Sequence, residues 1–230
     1  MIDDFILLGV LPYVAMVIFL IVTIQRYRMS GFSYSSLSSQ FLENQHHFWG
    51  SVPFHYGILV VLLGHVLGFL MPGAILSWNA EPFRLLLLEV TGIAFAILTL
   101  VGLANIMIRR GTHRLARKVT TPSDWIVYAL LLVQVVSGIA VAVFVGWGSS
   151  WFATNLTPWL WSLVKLSPDV SYVAPLPWLV KLHIVNAFLL IGFFPFTRLV
   201  HILVVPNQYL VRRTQVVVWN WDRTRLRDEG

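Results

Sequence analysis

The sequence contains no cysteine. Without cysteine the chain cannot hold a covalently attached c-type haem, a cysteine-ligated iron–sulfur cluster or a disulfide bond. Any redox centre must therefore be held by other side chains, of which histidine is the main candidate, or must lie in a partner protein.

Charged residues are also scarce, at 11% of 230 residues, whereas hydrophobic residues reach 57%. A soluble domain of this length needs far more charge to cover its surface, so the composition indicates an integral membrane protein. Several apolar runs exceed the roughly 20 residues needed to cross a bilayer. We predict an all-α protein of five transmembrane helices, at about 4–25, 52–72, 84–109, 124–146 and 178–204.

Two further features of the chain bear on its organisation. Pro195 lies inside the fifth predicted helix, where we expect it to produce a kink. No internal repeat and no linker long enough for a second domain is evident, so residues 1–230 are predicted to form one membrane domain. Residues at about 205–230 would form a basic tail.

Basic residues are distributed unevenly between the two sides of the predicted bundle. Twelve follow the first, third and fifth segments: Arg26, Arg28, Arg109, Arg110, Arg114, Arg117, Lys118, Arg212, Arg213, Arg223, Arg225 and Arg227. Three lie on the other side: Arg84, Lys165 and Lys181. Because basic residues favour cytoplasmic loops, we predict an N-terminus outside and a C-terminus in the cytoplasm. The net charge of +6 is then explained by these loops, and no nucleic-acid partner is expected.

Four histidines lie inside apolar segments, His55 and His65 in the second, His183 and His201 in the fifth. A titratable ring at membrane depth is costly unless something compensates it. The two segments run in opposite directions, so depth pairs His65 with His183 near the outer face and His55 with His201 near the cytoplasm. Along the helix axis, His55 and His65 are expected about 15 Å apart and His183 and His201 about 27 Å apart. Separations of this order suit two stacked haems.

Two neutral imidazoles give a low-spin, six-coordinate haem that carries electrons. The pattern therefore predicts two bis-histidine haems, with single packing or hydrogen-bonding histidines as the simpler alternative. Gly57, Gly64 and Gly68 either leave room for a porphyrin or form plain helix contacts. Arg198, one turn before His201, is a candidate partner of a haem propionate.

At this point the residues resemble a known family, the cytochrome b (gamma) subunit of membrane-bound respiratory nitrate reductase. The matching stretches are FHYGILVVLLGHVLGFLMP, LHIVNAFLLIGFFPFTRLVHILVVP, RYRMSGFSYSSLSSQ and TTPSDW. The resemblance covers most of the chain, apart from residues 147–177 and the extreme C-terminus. The two histidine-bearing stretches are its specific part, since hydrophobic helices match many unrelated proteins.

The resemblance implies two b-type haems, a distal one on His65 and His183 and a proximal one on His55 and His201. It also implies oxidation of a quinol, menaquinol or ubiquinol, beside the distal haem. Electrons would pass to a cytoplasmic iron–sulfur subunit and a molybdenum catalytic subunit. The chain would then be a quinol-oxidising, electron-transfer subunit in the cytoplasmic membrane of a bacterium or archaeon, used in anaerobic respiration.

One position departs from the family pattern. The family has a lysine at the quinol site near the start of the third helix, where this chain has Arg84. Arginine keeps the charge but not the compact ammonium, and an interfacial anchor is the alternative role. Glu89, farther along the same helix, could accept a quinol proton, pair with a basic residue or face a water pocket. Together with His65, these two residues are the quinol-site candidates; no catalytic residue is assigned beyond them.

Other functions remain compatible with the sequence. Related cytochromes b serve sulfur-metabolism complexes, and some reduce quinone instead of oxidising quinol. A haem-free membrane anchor in which the histidines relay protons is a further alternative. The basic tail either docks soluble subunits or binds lipid headgroups. The Trp-rich segment at 147–177 is expected to form an interfacial aromatic belt, or else to cap a site on the outer face.

Overall fold

A computed structural model describes residues 2–29 and 45–203, apart from the side chains of residues 2, 45–48, 115 and 201. The predicted tail at about 205–230 lies outside these residues. Five described helices are long and apolar enough to span a membrane, and no strand occurs among the described residues. The prediction of an all-α protein with five spans is confirmed.

The spanning helices are labelled α1 to α5. They are α1, Leu11–Met29; α2, Gln45–Leu70; α3, Pro82–Thr112; α4, Pro122–Phe144; and α5, Trp178–Phe193. Two further turns, Ile2–Phe5 and the π-helical Ile6–Val10, extend α1 at its N-terminus. Three of the five are bounded by proline at or just before their first residue, where its missing N–H costs no hydrogen bond.

The fifth helix ends earlier than predicted. The sequence predicted one kinked helix to residue 204, but α5 stops at Phe193 and is followed by the 3-10 turns Phe194–Phe196 and Arg198–Ile202. Pro195 cannot donate to the preceding turn, and the chain becomes extended at Thr197 (φ −124°, ψ 178°). No continuous α-helix joins His183 to His201, so the axial distance of about 27 Å expected between them from an unbroken helix does not apply.

The break leaves backbone carbonyl groups without helical N–H donors, and a basic side chain donates hydrogen bonds to them. Arg26 of α1 donates from Nη1 to the carbonyls of Pro195 and, at 3.1 Å, Thr197. An unpaired carbonyl inside a bilayer costs several kcal/mol, so irregular backbone at this depth needs such a partner. Arg26 thus has a structural role besides its contribution to the charge asymmetry of the loops.

The helices pair selectively. Helix α2 packs closely on α3, and α5 packs on α4 and α1. In the described part of the chain α2 and α5 share no comparable contact, although they carry His65 and His183. The two helices are therefore separated more widely than the packed pairs.

The segment between α4 and α5 folds onto one end of the bundle, called here the outer end after the predicted orientation. It contains the helical turns Gly148–Trp151 and Phe152–Leu156 and the helix Thr157–Val164. Trp159 is only 1% exposed, and its Nε1 donates to the carbonyl of Leu8 at 3.1 Å. For Trp159 the prediction of an interfacial belt is wrong, since the indole is part of a core that joins this segment to α1, α4 and α5.

The contact between α2 and α3 gives a stability prediction. A Cβ atom on Gly102 of α3 would lie 2.7 Å from the Cα of Phe54 in α2, whereas a Cβ on Gly92 would meet nothing within 4 Å. We expect Gly102→Ala to lower the free energy of unfolding by about 1–3 kcal/mol, because a backbone cannot yield as a side chain can. Gly92→Ala, on the same helix, should be neutral or slightly stabilising. Unfolding in a denaturing detergent series measures both; equal stability of the two variants would contradict the close contact.

Candidate functional site

His65 of α2 and His183 of α5 face each other across the space between their helices. Their ring centres are 6.4 Å apart and the ring planes are inclined by 35°. Two imidazoles that bind one metal ion from opposite sides have ring centres about 6 Å apart, because each metal–nitrogen bond is about 2 Å long. The separation thus fits a pair of axial ligands.

Backbone carbonyls fix the rings of the two α2 histidines. Nδ1 of His65 lies 2.8 Å from the carbonyl oxygen of Val61, and Nδ1 of His55 lies 2.7 Å from that of Ser51. A carbonyl can only accept, so Nδ1 carries the proton in each neutral ring and the lone pair lies on Nε2. This is the arrangement typical of metal-binding histidines, whose second nitrogen donates to a carbonyl or carboxylate.

His183 is held by side chains from α4. The Gln134 amide nitrogen lies 3.2 and 3.1 Å from the two ring nitrogens, and Ser137 Oγ lies 3.0 Å from Nδ1. Asn186, 4% exposed, donates to Gln134 Oε1 at 2.7 Å. Sequence reasoning missed these residues, although polar Gln and Asn within apolar segments were the signal that could have revealed them.

Glycines shape the surroundings of the histidines in different ways. A Cβ on Gly64 would meet nothing within 4 Å, whereas one on Gly57 would lie 2.7 Å from the carbonyl oxygen of Phe95 in α3. Gly57 is thus a helix contact, Gly68 faces the ring of Phe152, and only Gly64 borders open space. On α4, a Cβ at Gly138 would approach His183 Cε1 to 2.9 Å, so this glycine makes room for the ring.

These observations test whether haem fits the residues present. The outer pair offers two rings at ligand spacing on helices that do not pack closely together, and a Cβ on Gly64, next to His65, would meet nothing within 4 Å. Among the described side chains no three His, Asp or Glu converge as a metal site. A bis-histidine haem requires only two axial side chains, and the spacing of His65 and His183 fits that requirement.

The inner pair is described only in part. His55 lies on α2, and its ring also packs edge-on against Phe54 with centroids 5.3 Å apart. His201 lies in the 3-10 turn Arg198–Ile202, and its side chain is outside the described residues. The pairing of His55 with His201 stays a prediction.

Arg198, the propionate candidate, has protein partners. Its Nε forms an ion pair of 2.9 Å with Asp124, whose side chain is 4% exposed, and its Nη2 donates to the carbonyl of Val119. Asp124 also belongs to a capping box with Thr121 at the start of α4. The guanidinium therefore joins the broken end of α5 to α4, and a contact with a propionate remains a prediction.

The quinol-site candidates lie at the outer end. The guanidinium of Arg84 lies 5.6 Å from the ring centre of Trp78, whose indole nitrogen donates to the Arg84 carbonyl at 3.0 Å. Glu89 accepts from the backbone N–H of Ser149 at 2.9 Å and from its hydroxyl at 2.7 Å. Three residues farther on, Phe152 packs edge-on against His65 with centroids 5.5 Å apart. The segment 149–152 thus links Glu89 to the outer histidine pair.

Comparison with known proteins shows the family. The family model for the nitrate reductase gamma subunit matches residues 4–220. The nitrate reductase gamma chain of Bacillus subtilis (strain 168) is 34% identical over 212 residues, covering 90% of this chain and 94% of that protein. The respiratory nitrate reductase 2 gamma chain of Escherichia coli (strain K12) is 31% identical over 211 residues, covering 90% and 92%.

A third relative is longer. The nitrate reductase-like protein NarX of Mycobacterium tuberculosis is 33% identical over 212 residues, which are 88% of this chain but 32% of that protein. The chain belongs to the nitrate reductase gamma subunit family. It is a multi-pass membrane protein and a subunit of a nitrate reductase complex, an oxidoreductase.

The ion pair between Asp124 and Arg198 should be essential for the stability of the inner end. Asp124→Asn leaves the arginine without its buried counter-charge, and breaking a buried pair costs about 3–5 kcal/mol. We expect a correspondingly lower free energy of unfolding, and partial recovery in Asp124→Asn with Arg198→Gln. Asp169→Asn, an exposed loop carboxylate, is the control. A double variant less stable than the single one would show that the two side chains do not act as a pair.

Proposed function

We propose that this chain is the quinol-oxidising membrane cytochrome b subunit of a respiratory nitrate reductase. His65 and His183 would hold an outer b-type haem, and His55 and His201 an inner one. The observation that carries the proposal is the approach of the His65 and His183 rings across the space between α2 and α5. Membership of the gamma subunit family supports it independently.

The protein's own task at each haem is to present neutral imidazole with its lone pair on Nε2. The carbonyls of Val61 and Ser51 serve this purpose for His65 and His55, since they accept the Nδ1 protons. Haem bound at the two levels supplies one-electron transfer across the membrane interior. A charged ring at membrane depth is costly, so the apolar surroundings suit a neutral imidazole ligand.

At the outer end, the chain must accept the protons that a quinol loses on oxidation. Glu89 is a carboxylate suited to this role. Two donors of Ser149, its backbone N–H and its hydroxyl, hold the carboxylate beside the segment 149–152. Arg84, stacked near Trp78, offers a fixed positive charge to a quinol oxygen. The quinol would be menaquinol or ubiquinol, entering from the bilayer.

The partners proposed for the inner end are an iron–sulfur subunit and a molybdenum catalytic subunit in the cytoplasm. The charge asymmetry of the loops supports this orientation, with the N-terminus outside. The basic tail at about 205–230 is the proposed docking element. The setting would be the cytoplasmic membrane of a bacterium or archaeon.

Absorption spectroscopy of the complex tests the ligand pairs. In a reduced-minus-oxidised spectrum, His65→Ala and His183→Ala should each remove about half of the b-type α-band, because in either variant the outer haem loses one axial ligand while the inner haem keeps both. The double variant should lose no more than either single one, whereas His65→Ala with His55→Ala should lose nearly all. His113→Ala, outside both pairs, is the control. Absence of the α-band in the unaltered complex, or additive losses for His65 and His183, would refute the assignment.

The proton acceptor is tested separately. Glu89→Gln keeps the size of the side chain but removes its basicity, so quinol oxidation should slow by about 10²-fold, the lower range for loss of a general base. Haem content and nitrate reduction by an artificial donor to the soluble subunits should remain normal. Glu81→Gln, on the same end of α3, is the matched control. Quinol oxidation by Glu89→Gln at the unaltered rate would exclude this role.

A further inference from the structure

The polar network around His183 joins two spanning helices within the membrane. It consists of Gln134 and Ser137 from α4 and Asn186 from α5. Asn186 and Ser137 are each 4% exposed. Polar side chains at this depth are costly unless each hydrogen bond is made. Some hydrogen-bond directions in the network follow from atoms that can only donate or only accept.

The amide of Asn186 sets the direction at one end. Asn186 Nδ2 lies 2.9 Å from the carbonyl of Leu130, which can only accept, so this atom is a donor. The Gln134 atom at 2.7 Å from it must then be the oxygen, which turns the Gln134 NH₂ group toward His183. This NH₂ group lies 3.1 Å from Nε2 and 3.2 Å from Nδ1. It can donate to the unprotonated ring nitrogen, and iron bound at Nε2 would take its place there.

The hydroxyl of Ser137 identifies which ring nitrogen is protonated. Ser137 Oγ lies 3.1 Å from the carbonyl of Gln134, to which it can donate, and 3.0 Å from His183 Nδ1. A His183 that binds iron through Nε2 carries its proton on Nδ1, and the Ser137 hydroxyl is then the acceptor within reach of that proton. His183 would thus have the same tautomer as His65 and His55, but would reach it through side chains of another helix.

The two proposed ligands of the outer haem, His65 and His183, differ in the group that can accept from Nδ1. In the described residues, His55 and His65 have the carbonyl four residues earlier as acceptor, a group that no side-chain substitution removes. His183 has the Ser137 hydroxyl in that position. Gly138, next along α4, leaves the ring its space, since a Cβ there would approach Cε1 to 2.9 Å.

We propose that Ser137, Gln134 and Asn186 are positioning residues that set the orientation and ligand strength of His183, so that α4 controls the reduction potential of the outer haem. The inference rests on the proposed function, in which His183 is an axial ligand. A hydrogen bond from Nδ1 raises the basicity of the imidazole and favours the ferric state. Removing the acceptor should therefore raise the midpoint potential of the outer haem and leave the inner haem unchanged.

Potentiometric titration of the whole complex, followed at the b-type α-band, tests this. Ser137→Ala should raise the ferrous-to-ferric ratio of the outer haem about tenfold at a given potential, which is 59 mV for a one-electron couple. Ser137→Thr, which keeps the hydroxyl, should restore the potential. The component that survives in His55→Ala identifies the outer haem.

Ser51→Ala is the matched control, because Ser51 Oγ lies 3.3 Å from His55 Nδ1 while the Ser51 carbonyl remains the acceptor at 2.7 Å. It should shift neither potential by a comparable amount. A complex without b-type haem would overturn the proposed function. A complex with two haems in which Ser137→Ala shifts neither potential, or shifts both equally, would overturn the positioning role alone.

Discussion

The dominant constraint on this protein is that a polar group inside a bilayer must find its partner within the protein. The constraint is visible at each irregular point of the bundle. Arg26 takes up carbonyls freed where α5 ends, and Asp124 accepts from Arg198 at the same end. The histidine rings obey it as well, since His65 donates to a carbonyl and His183 contacts side chains of α4. Pairing of this kind fixes the ring orientations that the proposed haem ligands require.

Helix packing supplies the second requirement, which is space. Close approach of α2 to α3 is possible because Gly57 and Gly102 lack side chains at the contact. With α2 drawn to α3, and α5 drawn to α4 and α1, the two histidine-bearing helices face each other without packing together. The position of the proposed binding site therefore follows from which helices pack against each other.

The sequence predicted the spans because hydropathy acts along a single helix, and it placed His65 and His183 at one depth, where their ring centres lie 6.4 Å apart. Their role as haem ligands stays a prediction. Prediction from the sequence failed where the outcome depends on tertiary partners. The end of α5 at Phe193 depends on Pro195 and on Arg26 of α1, which donates to the carbonyl left without a helical partner. Burial of Trp159 depends on its bond to the Leu8 carbonyl. The sequence shows Gln134 as a polar residue in an apolar segment. Its contact with His183 depends on the packing of α4 against α5, which the sequence alone does not give.

The segment 149–152 contacts both Glu89, the proposed proton acceptor, and His65, a proposed ligand of the outer haem. Ser149 holds Glu89 through its backbone and its hydroxyl, and Phe152, on the same few residues of chain, packs on the ring of His65. A movement of this segment in response to an occupant near Glu89 must therefore reach a proposed ligand through Phe152. His183, by contrast, is held from α4, on the other side of the pair. The outer pair thus has one ring in contact with the segment that binds Glu89 and one ring in contact with a network on α4, so the two proposed ligands are held by different parts of the protein.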